Sequence, residues 1–180
     1  MKRRGIGSLS RLTPDGRAFS VQTTILPGEA GAVTLATAEA LAAAYFAFLS
    51  RVSGGLFTVV RSPEALALRL RGLRVPLLAF AQVGAVPEPE GAAVGYAITG
   101  GLLLRRGVRG SRLIFLVARA GGGLRATVDL EGFAPALLGL PGGRALYRVV
   151  QAPLIAWAGR RLLRALRHRP GRLRQTGPVP

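Results

Sequence analysis

Gly121-Gly122-Gly123 divides two stretches that both read as β-strands, Ser111 to Ala118 and Leu124 to Phe133. In the second, Leu124, Ala126, Val128 and Leu130 alternate with Arg125, Thr127, Asp129 and Glu131. A period of two is the geometry of a strand, in which successive side chains leave opposite faces. Glycines between two such runs supply the backbone freedom that a tight hairpin turn demands. This part of the chain therefore has to be an antiparallel hairpin with one dry face and one wet face.

The same grammar recurs upstream. Ala18 to Leu26 (AFSVQTTIL) is rich in β-branched and aromatic residues and ends at Pro27-Gly28. Leu56 to Arg61 is apolar and β-branched, and Ala65 to Arg71 places Leu66, Leu68 and Leu70 on one face. Leu77 to Val86 follows Pro76 and runs into the loop Pro87-Glu88-Pro89-Glu90-Gly91. Ala93 to Leu104 puts Val94, Tyr96 and Ile98 on one face, and Gly100-Gly101 predicts a bulge or a close backbone approach.

Two segments have helical spacing instead. Thr37 to Val52 carries Leu41, Tyr45, Phe48 and Val52 one turn apart, with Thr37 as N-cap and Ser53-Gly54-Gly55 as the stop. It lies in the longest apolar run, Val33 to Leu49, which Glu39 interrupts. That run is slightly short of the roughly 20 residues a bilayer span needs, so it reads as a buried helix. Pro141-Gly142-Gly143 opens a second, longer helix, Arg144 to Arg167, which Pro170-Gly171 stops. Its apolar face switches sides near Pro153. Leu146, Val149, Val150, Pro153 and Trp157 share one face, and Ile155, Ala158, Leu162 and Leu166 the nearly opposite one. A proline inside a helix removes a hydrogen bond and crowds the preceding turn. Either the helix bends there, or two helices meet there, or one half contacts something besides its own core.

The chain has 180 residues, 25 of them basic and 8 acidic, for a formal charge of +17. This length suits one domain and buries roughly 70% of the unfolded surface, so no disulfide or metal is needed to fold it. Residues 1–16 read as a flexible basic arm closed by the turn Pro14-Asp15-Gly16, residues 17–168 as one α+β domain, and residues 169–180 as a disordered basic tail. The start, Met1-Lys2-Arg3-Arg4-Gly5, is basic like a targeting peptide, but Gly5 to Arg17 lacks the apolar core of about 7–15 residues that should follow. There is no cysteine, which excludes a thiolate nucleophile and Cys-based zinc sites and fits a reducing compartment. The expected location is the cytoplasm, with a membrane-peripheral role open to it.

Arginine stands for lysine everywhere except Lys2, as in a GC-rich genome. That bias explains arginine over lysine but not basic over acidic, so a polyanionic partner or surface stays in play. After Glu131 no acid occurs. The compact basic face there is Arg160, Arg161, Arg164 and Arg167, a candidate anion-binding site for nucleic acid or anionic membrane. No catalytic residue, metal site or cofactor motif emerges. His168 is the only histidine and lies among arginines. The glycine clusters lack the phosphate-loop spacing. Asp129 and Glu131 fall on the wet strand face, where Arg125, and Arg112 or Arg119 across the hairpin, are ready partners. Glu39 is the acid to inspect if buried.

The order strand, helix, about six antiparallel strands, long C-terminal helix resembles the helix-grip fold of the START-like (SRPBCC, polyketide cyclase and Bet v 1-like) superfamily. The residues that carry the resemblance are AFSVQTTIL, TAEALAAAYFAFLSRV, the triple-glycine hairpin and PGGRALYRVVQAPLIAWAG. It implies an α+β fold in which a curved antiparallel sheet of about six or seven strands grips the last helix around an apolar cavity. Such cavities hold hydrophobic small molecules or lipids, mostly without catalysis, while a minority of members are cyclases or hydrolases. The lining expected here is Tyr96, Ile98, Ala126, Val128, Val150, Leu154 and Trp157. An enzyme on this frame would need Glu39, Asp129 or Tyr96 to face that cavity.

Overall fold

Eight strands pair into one antiparallel sheet in the computed structural model, which describes residues 6–27, 33–62, 65–86, 88, 90–139, 141 and 152–168. They are β1 (Gly7–Leu12), β2 (Ala18–Pro27), β3 (Phe57–Arg61), β4 (Ala65–Leu70), β5 (Pro76–Val86), β6 (Gly91–Gly100), β7 (Arg112–Ala120) and β8 (Gly123–Phe133). Helix α1 (Leu35–Val52) follows β2, and helix α2 (Ala152–His168) follows β8. The order across the sheet is β1-β2-β8-β7-β6-β5-β4-β3. Strands β3 to β8 thus form a meander in chain order, and β8 returns to pair with β2 and closes the topology.

The eighth strand corrects the expectation for the N-terminal arm. Residues 7–12 are an edge strand, paired with β2 from Gly7↔Thr23 to Leu12↔Ala18. The turn Thr13–Arg17 joins them, with Thr13 N donating to Arg17 O at 2.8 Å. No hydrophobic period announces β1, because Ser8 and Ser10 share the inner side with Leu12 and its Leu9 is 69% exposed. Backbone pairing holds it, which side-chain patterning does not report. Residues 1–5 and 169–180 lie outside the described residues.

The hairpin forms as its glycines require. Ala120 pairs with Gly123, and the two-residue turn between them has φ of 49° at Gly121 and 80° at Gly122. The anticipated close approach at Gly100-Gly101 is also present. A Cβ on Gly101 would sit 2.4 Å from Leu77 O. Helix α1 starts earlier than Thr37 because the cap is Thr34, whose side chain accepts from Thr37 N.

By length and composition α1 would suit a bilayer. Here it packs across β6, β7 and β3, burying Ala38, Leu41, Ala42 and Phe46. Phe46 centres a cluster of edge-on rings, with centroids 5.5 Å from Phe80, 5.6 Å from Tyr45, 5.7 Å from Tyr96 and 5.9 Å from Phe115. Offset and edge-on geometries of this kind are the favourable ones for aromatic pairs.

Helix α2 packs on β2 and touches β1 and α1. Leu162, Leu163 and Leu166 are its buried face. Pro153 falls in its first turn, where a missing N–H costs no helical bond. The expected earlier part of this helix, with Leu146, Val149 and Val150, lies outside the described residues.

Candidate functional site

The site grows from the register of the sheet. Gln22 pairs with Val128, Val128 with Phe115, and Phe115 with Val94, so these four form one row across the inner face. Ser20, Leu130, Leu113 and Tyr96 form the next row. Over these rows lie α1 and α2. Where α1, α2 and the sheet fail to fill the space between them, a cavity of about 150 Å³ remains.

Its walls are mostly apolar. Helix α1 contributes Tyr45, Phe46, Leu49 and Val52, and the sheet contributes Phe57, Leu68, Phe80, Ile98, Leu113, Val128, Leu130 and Phe133. Leu77, Leu78 and Leu103 close one side, and Trp157 reaches in from α2. The polar side chains are Ser20, Gln22 and the Tyr45 phenol. Burial pushes the Tyr45 hydroxyl up to about 12, so it stays neutral at physiological pH. No charged side chain lines the cavity among the described residues.

Of the residues expected there, Ile98, Val128 and Trp157 line the cavity. Tyr96 does not. It is 9% exposed and wedged between Phe46 and Phe115. Ala126 faces the same side but is buried between its register partners Thr24 and Val117. Val150 lies outside the described residues, as does the side chain of Leu154 in α2. Single-strand alternation identified the right face of β6 and β8 but not how far along each strand the gap falls. Phe46, Phe57, Phe80 and Phe133 lie in apolar stretches of the sequence, and only the fold makes them a wall.

The polar wall was missed altogether. In β2 the apolar residues Phe19, Val21 and Ile25 face outward, and Ser20, Gln22 and Thr24 are buried on the inner side. Gln22 Nε2 donates to Ser20 Oγ at 3.4 Å, and Ser20 Oγ lies 2.9 Å from Ser10 Oγ of β1. The regular polar alternation of AFSVQTTIL was the available signal.

The carboxylates lie elsewhere. Glu39 is exposed on α1. Asp129 is on the outer sheet face, opposite Ile114 on β7 and Val21 on β2, so neither register partner is basic. Burial raises its pKa to about 6, and the charge of Glu131 adds to the rise. Arg112 stands opposite Glu131 instead. The outer face is therefore drier than its alternation implied, with Thr127 only 8% exposed. Tyr96 is also raised, first by burial. None of the three residues an enzyme on this frame would need lines the cavity. Among the described residues, no group of His, Asp or Glu side chains is placed to hold a metal ion.

The basic face is set by α2. Arg160, Arg161 and Arg164 are exposed and Arg167 is partly so, opposite the buried leucines. The Arg161 guanidinium lies over the Trp157 ring, 5.2 Å from its centroid. Arginine face and cavity wall therefore meet at one tryptophan.

Sheet, helices and cavity together define an α+β protein of helix-grip architecture. Solved structures similar to it match at low identity. Human STARD10 is 11% identical, with a TM-score of 0.44 and coverage of 100% of this chain and 81% of that one. Protein Ms6760 from Mycobacterium smegmatis is 16% identical, with a TM-score of 0.43 and coverage of 89% and 96%. CalU16 from Micromonospora echinospora is 11% identical, with a TM-score of 0.42 and coverage of 99% and 80%. No family model and no curated protein matches the chain by sequence.

Proposed function

We propose that the protein binds a hydrophobic small molecule or lipid segment in the cavity between the sheet and the two helices, by shape and apolar burial and without chemistry. The observation that carries this reading is a cavity of about 150 Å³ walled by aromatic and aliphatic side chains and free of charge among the described residues. Apolar cavities of this size accept small apolar guests. Ligand pockets for drug-sized molecules run to about 300–1,000 Å³. The cavity in this conformation therefore suits a small guest, and a larger one requires α2 or the loops to move outward.

Trp157 is the only tryptophan in the chain and lines the cavity, so its fluorescence reports occupancy directly. A size-graded panel from toluene to naphthalene to a fatty alcohol, titrated by fluorescence and calorimetry, tests the proposal. Saturable binding that favours the smaller aromatics supports it. The absence of any saturable guest across the panel sinks it.

A second reading rests on the outward arginines of α2. Arg160, Arg161, Arg164 and Arg167 form an anion-attracting face for nucleic acid or for an anionic membrane, which would make the protein peripheral to the membrane on its cytoplasmic side. Insertion through Leu162 and Leu166 is excluded in this conformation because both are buried in the core. Only electrostatic docking beside Trp157 remains. Duplex binding would weaken with salt at a log–log slope of about −0.9 per phosphate contacted. A salt-insensitive signal rejects this second reading.

A further inference from the structure

Strand β2 turns polar side chains inward along its middle, between Ala18 and Leu26, which are buried in the core at its two ends. Its inward Ser20, Gln22 and Thr24 are 7, 3 and 2% exposed. They abut Leu130, Val128 and Ala126, their register partners on β8. A slip of one residue would exchange the two faces, burying Val21 and Ile25 and turning Ala18 and Leu26 outward. Buried polar groups are costly unless hydrogen-bonded, so a strand that keeps three of them inward beside an apolar cavity departs from what stability alone selects.

Two of the three, Ser20 and Gln22, line the cavity. They are linked to each other and, through Ser20, to Ser10. This chain of contacts orients both groups from the edge strand inward. A primary amide presents donors and an acceptor, and a hydroxyl presents both, without charge. Facing them are flat walls: Phe46, Phe80, Phe133 and Trp157. A ring stacks or packs edge-on against such walls better than a flexible chain does. An anion would be stranded, since no cationic side chain lines the cavity among the described residues and charge without a partner is disfavoured in an apolar site.

We infer that Ser20 and Gln22 form a neutral polar anchor, and that the occupant is a small uncharged aromatic molecule bearing one hydrogen-bonding substituent, of the phenol, indole or aromatic-amide class. This inference rests on the cavity-binding reading above and adds the polarity and charge of the ligand to it.

Toluene, phenol and benzoate are the probes, titrated at pH 7 into the full-length protein and its variants with Trp157 fluorescence and calorimetry. Phenol should bind the wild type and benzoate should not. Gln22→Leu should weaken phenol on the order of tenfold while toluene changes by no more than about twofold or tightens. Ser20→Ala should weaken phenol less. Gln22→Met serves as a second apolar variant if the leucine form does not fold, and the phenol–benzoate comparison needs no variant. If toluene binds but phenol is indifferent to both Gln22 variants, or benzoate equals phenol, the anchor is overturned and the cavity reading stands. If neither toluene nor phenol binds the wild type, the cavity reading itself falls and the anchor with it.

Discussion

Replacing Asp129 by asparagine should stabilise the protein at neutral pH and leave it unchanged in acid. The carboxyl sits on β8 between Ile114 and Val21, and burial lifts its pKa from 3.8 to about 6, with Glu131 contributing. A carboxyl whose folded pKa lies above its unfolded value binds its proton more tightly in the folded state. Folding is then opposed by ionisation. The cost is absent below the unfolded pKa of 3.8, grows as pH rises and is fully present above the folded pKa of about 6. A shift of about two units corresponds to about 3 kcal/mol as an upper bound. Asp129 is only partly buried, and solvent screening reduces this to about 1–2 kcal/mol. Asparagine keeps the shape and removes the charge. Urea denaturation followed by circular dichroism at several pH values from 4 to 8 measures the gap between variant and wild type. The gap should be near zero at pH 4 and about 1–2 kcal/mol in favour of Asp129→Asn at pH 7.5. Glu131 and Arg112, which share the outer face, are present in both proteins and largely cancel in the difference. A variant less stable than wild type at pH 7.5 would refute the reasoning, because it would mean that the carboxylate makes a contact worth more than its burial costs. So would a gap that does not change with pH.

Other consequences of the packing are open to the same denaturation assay. Phe46→Ala removes the central ring of the aromatic cluster, buried to 1%, and should cost about 3–5 kcal/mol. Gly101→Ala would force a Cβ to within 2.4 Å of Leu77 O at a φ of +115°, and should cost about 3 kcal/mol or more. Gly122→Ala, also at positive φ but with open space around it, should cost only about 1 kcal/mol. Thr24→Val replaces a buried hydroxyl that has no hydrogen-bond partner among the described residues with an apolar group of the same shape, and should stabilise by about 1 kcal/mol.

Much of the architecture was legible because its causes are local. Glycines at the β7–β8 turn, period-two leucines in β4 and helical spacing in α1 each act through neighbours in the chain. The edge strand β1 was illegible because Ser8 and Ser10 share the inner face and Leu9 lies outward, so pairing to β2 defines it more than its own pattern does. The cavity was half legible. Ile98, Val128 and Trp157 followed from face and spacing, whereas Tyr96 and Ala126 share the face but pack against neighbours that other strands and α1 supply. The basic face of α2 followed from spacing alone, and its meeting with the cavity at Trp157 did not.

Local residue choice by itself determined an antiparallel meander between two helices, with the turns where glycine permits left-handed backbone and the arginines of α2 on its outer side. Only the tertiary structure decided which face of β2 looks inward. Its own pattern is divided, with Phe19, Val21 and Ile25 on one face and Ala18 and Leu26 at the ends of the other. Pairing with β1 on one side and β8 on the other, with an irregularity between Ala18 and Ser20, buries Ser20, Gln22 and Thr24. Two ladders of backbone hydrogen bonds hold that register, which the divided pattern of one strand does not set. A single sequence segment cannot express this outcome, because β8, one of the two partners that impose it, lies about a hundred residues away in the chain.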